Sequence, residues 1–486
     1  MVRLGCVAFV VTVLTCTPVL ASDRTLVTAL ERNLAGTAAA SRAAASGNPS
    51  LVQTHYDRAR TLQEQVRRAG PFSSACHALG GWAARYAAAE VAAAEGLDRL
   101  EPARARRARL AAAAARRRIA AVRLSCRPGQ PRDGEVVPVL VGPRPWAATF
   151  GEILARVPAG GADTATVFLN GVDAGTLGIV GAMAAGRVSA VPGRYDIEVR
   201  FTRGGRLVGR ARSAHVWLLP AAAQPQPAAV ANDPVWGRQL IDVAGRFPGI
   251  AGIWIHDVAS GRAAAWNAAA QFPAASTVKL GVMVEALRRM GPQPEASAMF
   301  HDVQAIGGWS SNLGANRLLA RVGGPSGVQR ALRRMGATSS TYTGPYLVAT
   351  GLPAVTAPNP PPRVSGRVTT AADLGTIMLM LHRAARGESA ALAATGMTGP
   401  QAALALGLLL SSEARADNVG IFRDVVGSGL PAAQKHGWIS SARHSAAIAY
   451  TDHGPVIMVV MTYKRDLAPA AAAAVGAEVV RIARAG

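Results

Sequence analysis

Lysine is nearly missing from this 486-residue chain. Of its 52 basic residues 49 are arginine, and only Lys279, Lys435 and Lys464 are lysine. Arginine keeps its charge at any physiological pH, so chemistry that needs a titratable amine has three positions to choose from. Acidic residues are also few, 29 in all, for a net charge of +23. Aromatic residues make up 5%, and cysteine occurs only at Cys6, Cys16, Cys76 and Cys126. The histidines His256, His301, His382, His444 and His453 show no ligand spacing and have no cysteine beside them, which argues against a metal site. What is abundant is apolar surface. Half the residues are hydrophobic and 17% are charged, which excludes a wholly disordered chain. At this length more than one hydrophobic core is expected.

The positive charge is spread along the chain: +10 over residues 22–130, +3 over 131–231 and +9 over 232–486. A nucleic-acid binder shows a basic stripe interleaved with aromatics or a known module, and neither is present, so no nucleic-acid partner is expected. The densest cluster is Arg104, Arg106, Arg107, Arg109, Arg116, Arg117 and Arg118, in an alanine-rich helical stretch. It reads as a solvated helix face, with attraction to an anionic envelope polymer or lipid headgroups as the functional alternative.

Residues 1–21 read as a secretory signal: Arg3, an apolar run from Val7 to Leu14, and the small-residue cleavage site Val19-Leu20-Ala21. The run is too short to span a membrane. Thr15 before Cys16 fits a lipoprotein processing site poorly, so a periplasmic or extracellular location without lipidation is expected. Cleavage leaves Cys76 and Cys126, an even pair in an oxidising compartment. Cys76 opens one helical stretch and Cys126 closes the next, with a turn expected at Gly96-Leu97-Asp98. In an antiparallel helix pair those ends lie side by side, so a disulfide is expected.

Residues within 22–128 recur at helical spacing: Leu26, Leu30 and Leu34; Leu79, Trp82, Ala83 and Tyr86; Leu110, Ile119 and Val122; and, less strictly, Leu51, His55 and Leu62. A helical bundle or hairpin follows. Residues 129–220 change to alternating strands, with two-residue turns at Asn170-Gly171 and Gly204-Gly205, and suggest a small all-β sandwich. Residues 221–234 are a proline- and alanine-rich linker. Residues 235–486 mix strands and helices: strand pairs are expected at 250–257 with 263–266 and at 446–450 with 456–463, and a helix from about 469 to 484.

Chemistry concentrates in that last block. Ser276-Thr277-Val278-Lys279 begins a helical pattern, so the serine and the lysine lie one turn apart on one face. A serine hydroxyl is a weak nucleophile and needs a base within hydrogen-bond reach; a lysine with a lowered pKa can serve, and arginine cannot. The helix start also offers backbone N–H groups to an oxyanion. Ser310-Ser311-Asn312 follows, with Asn316 four residues on, and then Lys435-His436-Gly437 just before the C-terminal strand pair.

In this order the three motifs make residues 235–486 resemble class A β-lactamases and related penicillin-interacting serine enzymes. The flanking Phe272-Pro273-Ala274-Ala275, Asn316-Arg317-Leu318-Leu319 and Thr369-Thr370-Ala371-Ala372-Asp373-Leu374 are similar to that family too. The resemblance implies an α/β (α+β) fold with a central antiparallel sheet flanked by helices, and no cofactor. It implies Ser276 as the acylated nucleophile, Lys279 as its base, and Ser310 as the proton relay to the leaving nitrogen. Lys435 becomes a second positive charge that also lowers the Lys279 pKa. Asn312, His436, Gly437 and Trp438 would line the substrate, with the N–H groups of Ser276 and Trp438 as the oxyanion hole, and Asn316 would be structural.

The chain departs from the family at several points. Class A enzymes keep a glutamate on the loop after the second motif to activate the deacylating water. Between Asp302 and Asp373 this chain has no acidic residue, and the stretch Leu352-Pro353 to Pro362 is proline-rich instead. Acylation then remains possible while hydrolysis of the acyl-enzyme slows. Ser311 replaces an aspartate. His436 replaces a hydroxyl residue, and either activates water or is a neutral structural histidine. The short spacing from Ser276 to Ser310 implies a more open cleft. The expectation is an exported serine hydrolase acting on β-lactams or peptidoglycan-derived D-alanyl peptides. The alternatives are a D,D-peptidase-type penicillin-binding enzyme and a non-catalytic peptidoglycan-recognition protein.

Overall fold

The computed structural model describes residues 23–70, 72, 76–122, 140–221, 231–348, 366–412, 420–422 and 430–485. The expected signal, Cys126, most of the expected linker and the stretch 352–362 lie outside these residues. The chain divides into two compact units, residues 1–134 and 135–486.

The first unit is four consecutive helices: α1 (Asp23–Ala44), α2 (Pro49–Ala69), α3 (His77–Asp98) and α4 (Pro102–Val122). Asn48 caps α2, its side chain accepting from Ser50 N and Leu51 N, with Pro49 at the first position where no N–H is needed. Leu26, Leu30, Leu62, Val66, Leu79, Tyr86 and Ile119 fill the core. Two expectations are corrected. Gly96 does not start a turn: α3 runs on to Asp98, and a Cβ on Gly96 would stand 2.8 Å from Ala105 N, so this glycine lets α4 approach. Of the expected stripe residues, Leu51 is 36% exposed and Leu110 62%, the latter because the buried face of α4 is Ala105, Ala112, Ala115 and Ile119. Cys76 is fully buried beside the start of α3.

A buried polar cluster sits inside this unit. His55 Nε2 lies 2.9 Å from Glu90 Oε2, and both side chains are nearly inaccessible. Burial alone would raise the Glu90 pKa, but hydrogen bonds from His55, Ser41 and Tyr86 outweigh it and the pKa falls.

The second unit opens with strands β1 (Ala148–Phe150), β2 (Ile153–Pro158), β3 (Thr164–Leu169), β4 (Val172–Thr176), β5 (Gly178–Val180), β6 (Met183–Val188), β7 (Gly193–Arg203) and β8 (Arg206–Leu219). They form two sheets, β1-β8-β7-β3-β4 and β2-β6-β5. Alternating residues such as Ile153, Ala155, Val157, Ala165, Val167, Val199 and Phe201 turn inward to one core.

The remainder comprises β9 (Ala231–Asn232), α5 (Pro234–Arg246), β10 (Ile250–Asp257), β11 (Arg262–Trp266), β12 (Phe272–Pro273), α6 (Lys279–Arg288), α7 (Phe300–Trp309), α8 (Asn312–Arg321) and α9 (Gly324–Arg334). It continues with β13 (Val368–Thr369), α10 (Ala371–Ala385), α11 (Ser389–Thr395), α12 (Gly399–Leu410), β14 (Ala432–Ile439), β15 (Ala442–Thr451), β16 (Gly454–Tyr463) and α13 (Pro469–Arg484). A six-stranded sheet runs β14-β15-β16-β10-β11-β9, antiparallel except for β9 on β11. Both faces are apolar. Ile253, Ile255, Ala447, Met458 and Val460 pack with α5 and α13, while Ala433, Ala446, Ile448, Val459 and Met461 join the larger helical core. Residues 231–234 of the expected linker supply the edge strand β9 and the Asp233 cap of α5, which Arg262 also binds at 2.8 Å.

The sandwich is docked on this body. Ala148 and Leu219 belong to the helical core. The carbonyl of Trp146 lies 1.8 Å from where a Cβ on Gly407 of α12 would be, so only glycine fits there. Trp217 Nε1 donates to Ser411 Oγ at 2.9 Å, Arg144 pairs with Glu295, and Phe150 packs against His382 and Tyr450. Among the described residues no single helix is long and apolar enough to cross a membrane.

Candidate active site

Ser276 stands in the turn between β12 and α6. Strand β12 pairs with β13, Ala274 N donates to Arg367 O, and His444 Nε2 donates to Pro273 O at 2.9 Å. His444 Nδ1 accepts from Thr462 N, and burial lowers its pKa to about 4, so a neutral imidazole ties the sheet to the serine turn. Ala275, just before the serine, has φ of 47°, a left-handed conformation that a non-glycine residue adopts only under constraint. Gly437 of β14 crosses directly above. A Cβ there would lie 2.6 Å from Ser276 N and 2.8 Å from Thr277 N, so glycine keeps those amides clear.

Lys279 is the first residue of α6 and is fully buried. Its Nζ donates to Ser310 O and to Asn312 Oδ1, each at 2.6 Å, and lies 4.2 Å from the Tyr346 ring centroid. Ser310 ends α7 in a left-handed conformation, φ 60°, which turns its side chain back toward the sheet. There Lys435 Nζ, also fully buried, lies 2.7 Å from Ser310 Oγ and 2.7 Å from His436 O. Burial alone lowers the Lys435 pKa to about 7. One residue, Ser310, is therefore bonded to both lysines.

The other motif residues are placed as follows. Ser311 caps α8, its Oγ accepting from Gly314 N at 3.0 Å, so a serine does the capping that an aspartate can do at the same place. Asn312 bridges Lys279 to Leu347 O, so both ends of its amide are held within the protein. Asn316 clamps the backbone of Tyr346 from both sides, Nδ2 to O at 2.9 Å and N to Oδ1 at 2.7 Å. His436 is buried and pairs across the ladder with Ser445. Trp438 is half-buried, with Arg443 Cζ 5.0 Å from its ring. Beneath the site, the buried Asp302 and Arg317 form an ion pair between α7 and α8.

Sequence reasoning missed Tyr346 and Arg367. The Tyr346 ring is stacked between the Lys279 amine and the Arg367 guanidinium, the latter 3.9 Å from the centroid. Arg367 also donates to Gly344 O and Pro345 O. On the loop held by the second-motif asparagine, the side chain facing Lys279 is thus aromatic. A signal existed: Tyr342 and Tyr346 are two of only seven tyrosines in the chain. Among the described residues no group of three or more His, Cys, Asp or Glu side chains could hold a metal.

A family model described as "Beta-lactamase enzyme family" matches residues 237–293 and 304–484. No curated protein matches the chain. Among solved structures, a beta-lactamase from Desulfarculus baarsii DSM 2075 is 21% identical, with 52% of this chain and 98% of that one covered and a TM-score of 0.42. A beta lactamase from Xanthomonas campestris pv. campestris str. ATCC 33913 is 18% identical over 52% and 100% of the chains, with a TM-score of 0.42. PBP-A is 17% identical over 53% and 99%, with a TM-score of 0.43. On the family match, with the three motifs brought into contact around Ser310 and Gly437, the C-terminal region of this chain belongs to the β-lactamase-related serine hydrolase superfamily.

Proposed function

We propose that the protein is an exported serine hydrolase that forms an acyl-enzyme on Ser276 with β-lactams or D-alanyl peptides, and that the acyl-enzyme is released slowly. The observation that carries this is the bonding of Ser310 to Lys279 and Lys435 beside the Ser276 turn. A hydroxyl nucleophile, a second hydroxyl that can pass a proton, and a buried amine of lowered pKa are the parts an acylation step needs. The Ser276 and Trp438 N–H groups would receive the oxyanion, with Gly437 leaving room for it. Slow release rests on the loop that faces Lys279, which carries Tyr346 and, between Asp302 and Asp373, no carboxylate to activate water.

Following the intact mass of the protein with a penicillin tests this. The expected result is a persistent adduct that is lost in Ser276→Ala. A transient adduct with product release would mean an efficient lactamase. No adduct with any β-lactam or D-alanyl ester would leave the non-catalytic recognition reading.

A further inference from the structure

We propose that the amine which takes the Ser276 proton is Lys435, reached through the Ser310 hydroxyl, and that Lys279 stays an ammonium that orients the site. The catalytic part rests on the acylation reading above; the protonation of the two lysines does not.

The two amines have different surroundings. Lys279 Nζ faces two oxygen acceptors at 2.6 Å, one carbonyl and one amide oxygen, and the π-face of Tyr346. Each of these stabilises a cation. Lys435 Nζ has one carbonyl and one hydroxyl, and the hydroxyl can equally donate to it. On the sheet its ladder partner is Ala446, and α12 packs against β14 with an alanine- and leucine-rich face. The titratable groups around it are Lys279, through Ser310, His436 next in the chain, and the neutral His444 opposite Gly437. No charged group contributes to its lowered pKa of about 7; burial does. Burial without a counter-charge favours the neutral form of this amine.

The proton balance closes. Ser276 Oγ bonds to the carbonyl carbon and its proton passes to Ser310 Oγ, while the Ser310 proton passes to neutral Lys435. When the C–N bond breaks, the leaving nitrogen takes a proton from Ser310, which Lys435 refills. Lys435 ends neutral, and the net transfer is from Ser276 to the leaving nitrogen.

With only three lysines, the full chain labelled with ¹³Cε-lysine gives one signal each from Lys279, Lys435 and the exposed Lys464. The variants Lys464→Arg, Lys279→Arg and Lys435→Arg assign them. The expected result is that the signal absent from Lys435→Arg titrates with a midpoint near 7, and that the Lys279 signal stays in its charged position well above that pH. The rate of adduct formation should rise through the same midpoint. Lys435→Arg should slow acylation at least about 100-fold at every pH, and Lys279→Arg by about tenfold with the midpoint kept. A neutral-range titration that disappears in Lys279→Arg, or no lysine titrating below about pH 9, overturns the assignment. If no adduct forms with any acyl donor, the acylation reading fails and the titration still decides which lysine is neutral.

Discussion

The molecule buries two polar clusters in opposite ways. In the helical unit, His55 and Glu90 face each other at 2.9 Å, with Ser41 and Tyr86 completing the carboxylate's hydrogen bonds. In the C-terminal body, Lys435 is buried with a hydroxyl and a carbonyl and no charged partner among the described residues. A buried ionisable group with its partner in place is a structural feature, and removing one half leaves the other stranded. A buried amine without a counter-charge is held against its own preference for water, which is the condition under which it can accept a proton at neutral pH.

This contrast can be broken from either side. The largest effect is expected for Lys435→Met, where the rate of adduct formation by intact mass should fall about a thousandfold while the calorimetric melting temperature holds or rises. Glu90→Ala should do the reverse. Unfolding by urea, followed by circular dichroism, should show a loss of about 2 kcal/mol as His55, Ser41 and Tyr86 lose their acceptor, with acylation unchanged. Tyr346→Glu would give the Lys279 cluster the carboxylate it lacks on that loop. The acyl-enzyme should then decay on the order of tenfold faster, read as loss of the adduct mass with time. The smallest effect belongs to Ser311→Ala, which removes the α8 cap and should lower stability by about 1 kcal/mol, whereas Ser311→Asp should be neutral.

The site was legible where its residues sit at the starts of regular elements. Ser276 and Lys279 fall one helical turn apart at the head of α6, and Lys435 lies on a strand whose alternation turns it toward the helical core, on the same face as Ala433 and Ala446. Tyr346 was not legible, because it reaches Lys279 from an irregular segment whose path is set by Asn316 and has no period to read. Gly96 misled for a related reason. Glycine serves both turns and close helix approaches, and only the position of Ala105 separates the two. The docking of the sandwich was not legible either, since it depends on Trp146, Phe150 and Trp217 meeting α12 and α10, far apart in the chain. The helical stripes, the turns at Asn170-Gly171 and Gly204-Gly205, and the final helix needed only local pattern.

That docking sets how far the chain can be trimmed. Helix α12 is shared, with Gly407 beneath the Trp146 carbonyl on one side and Leu408 against Gly307 of α7 on the other, three residues before Ser310. A fragment beginning at residue 231 would carry all three motifs. It would also strip Trp146, Phe150 and Trp217 away and open Gly407, His382, Tyr450 and Ser411 to water. A stretch that keeps those contacts has to include the sandwich, whose core begins at Leu140.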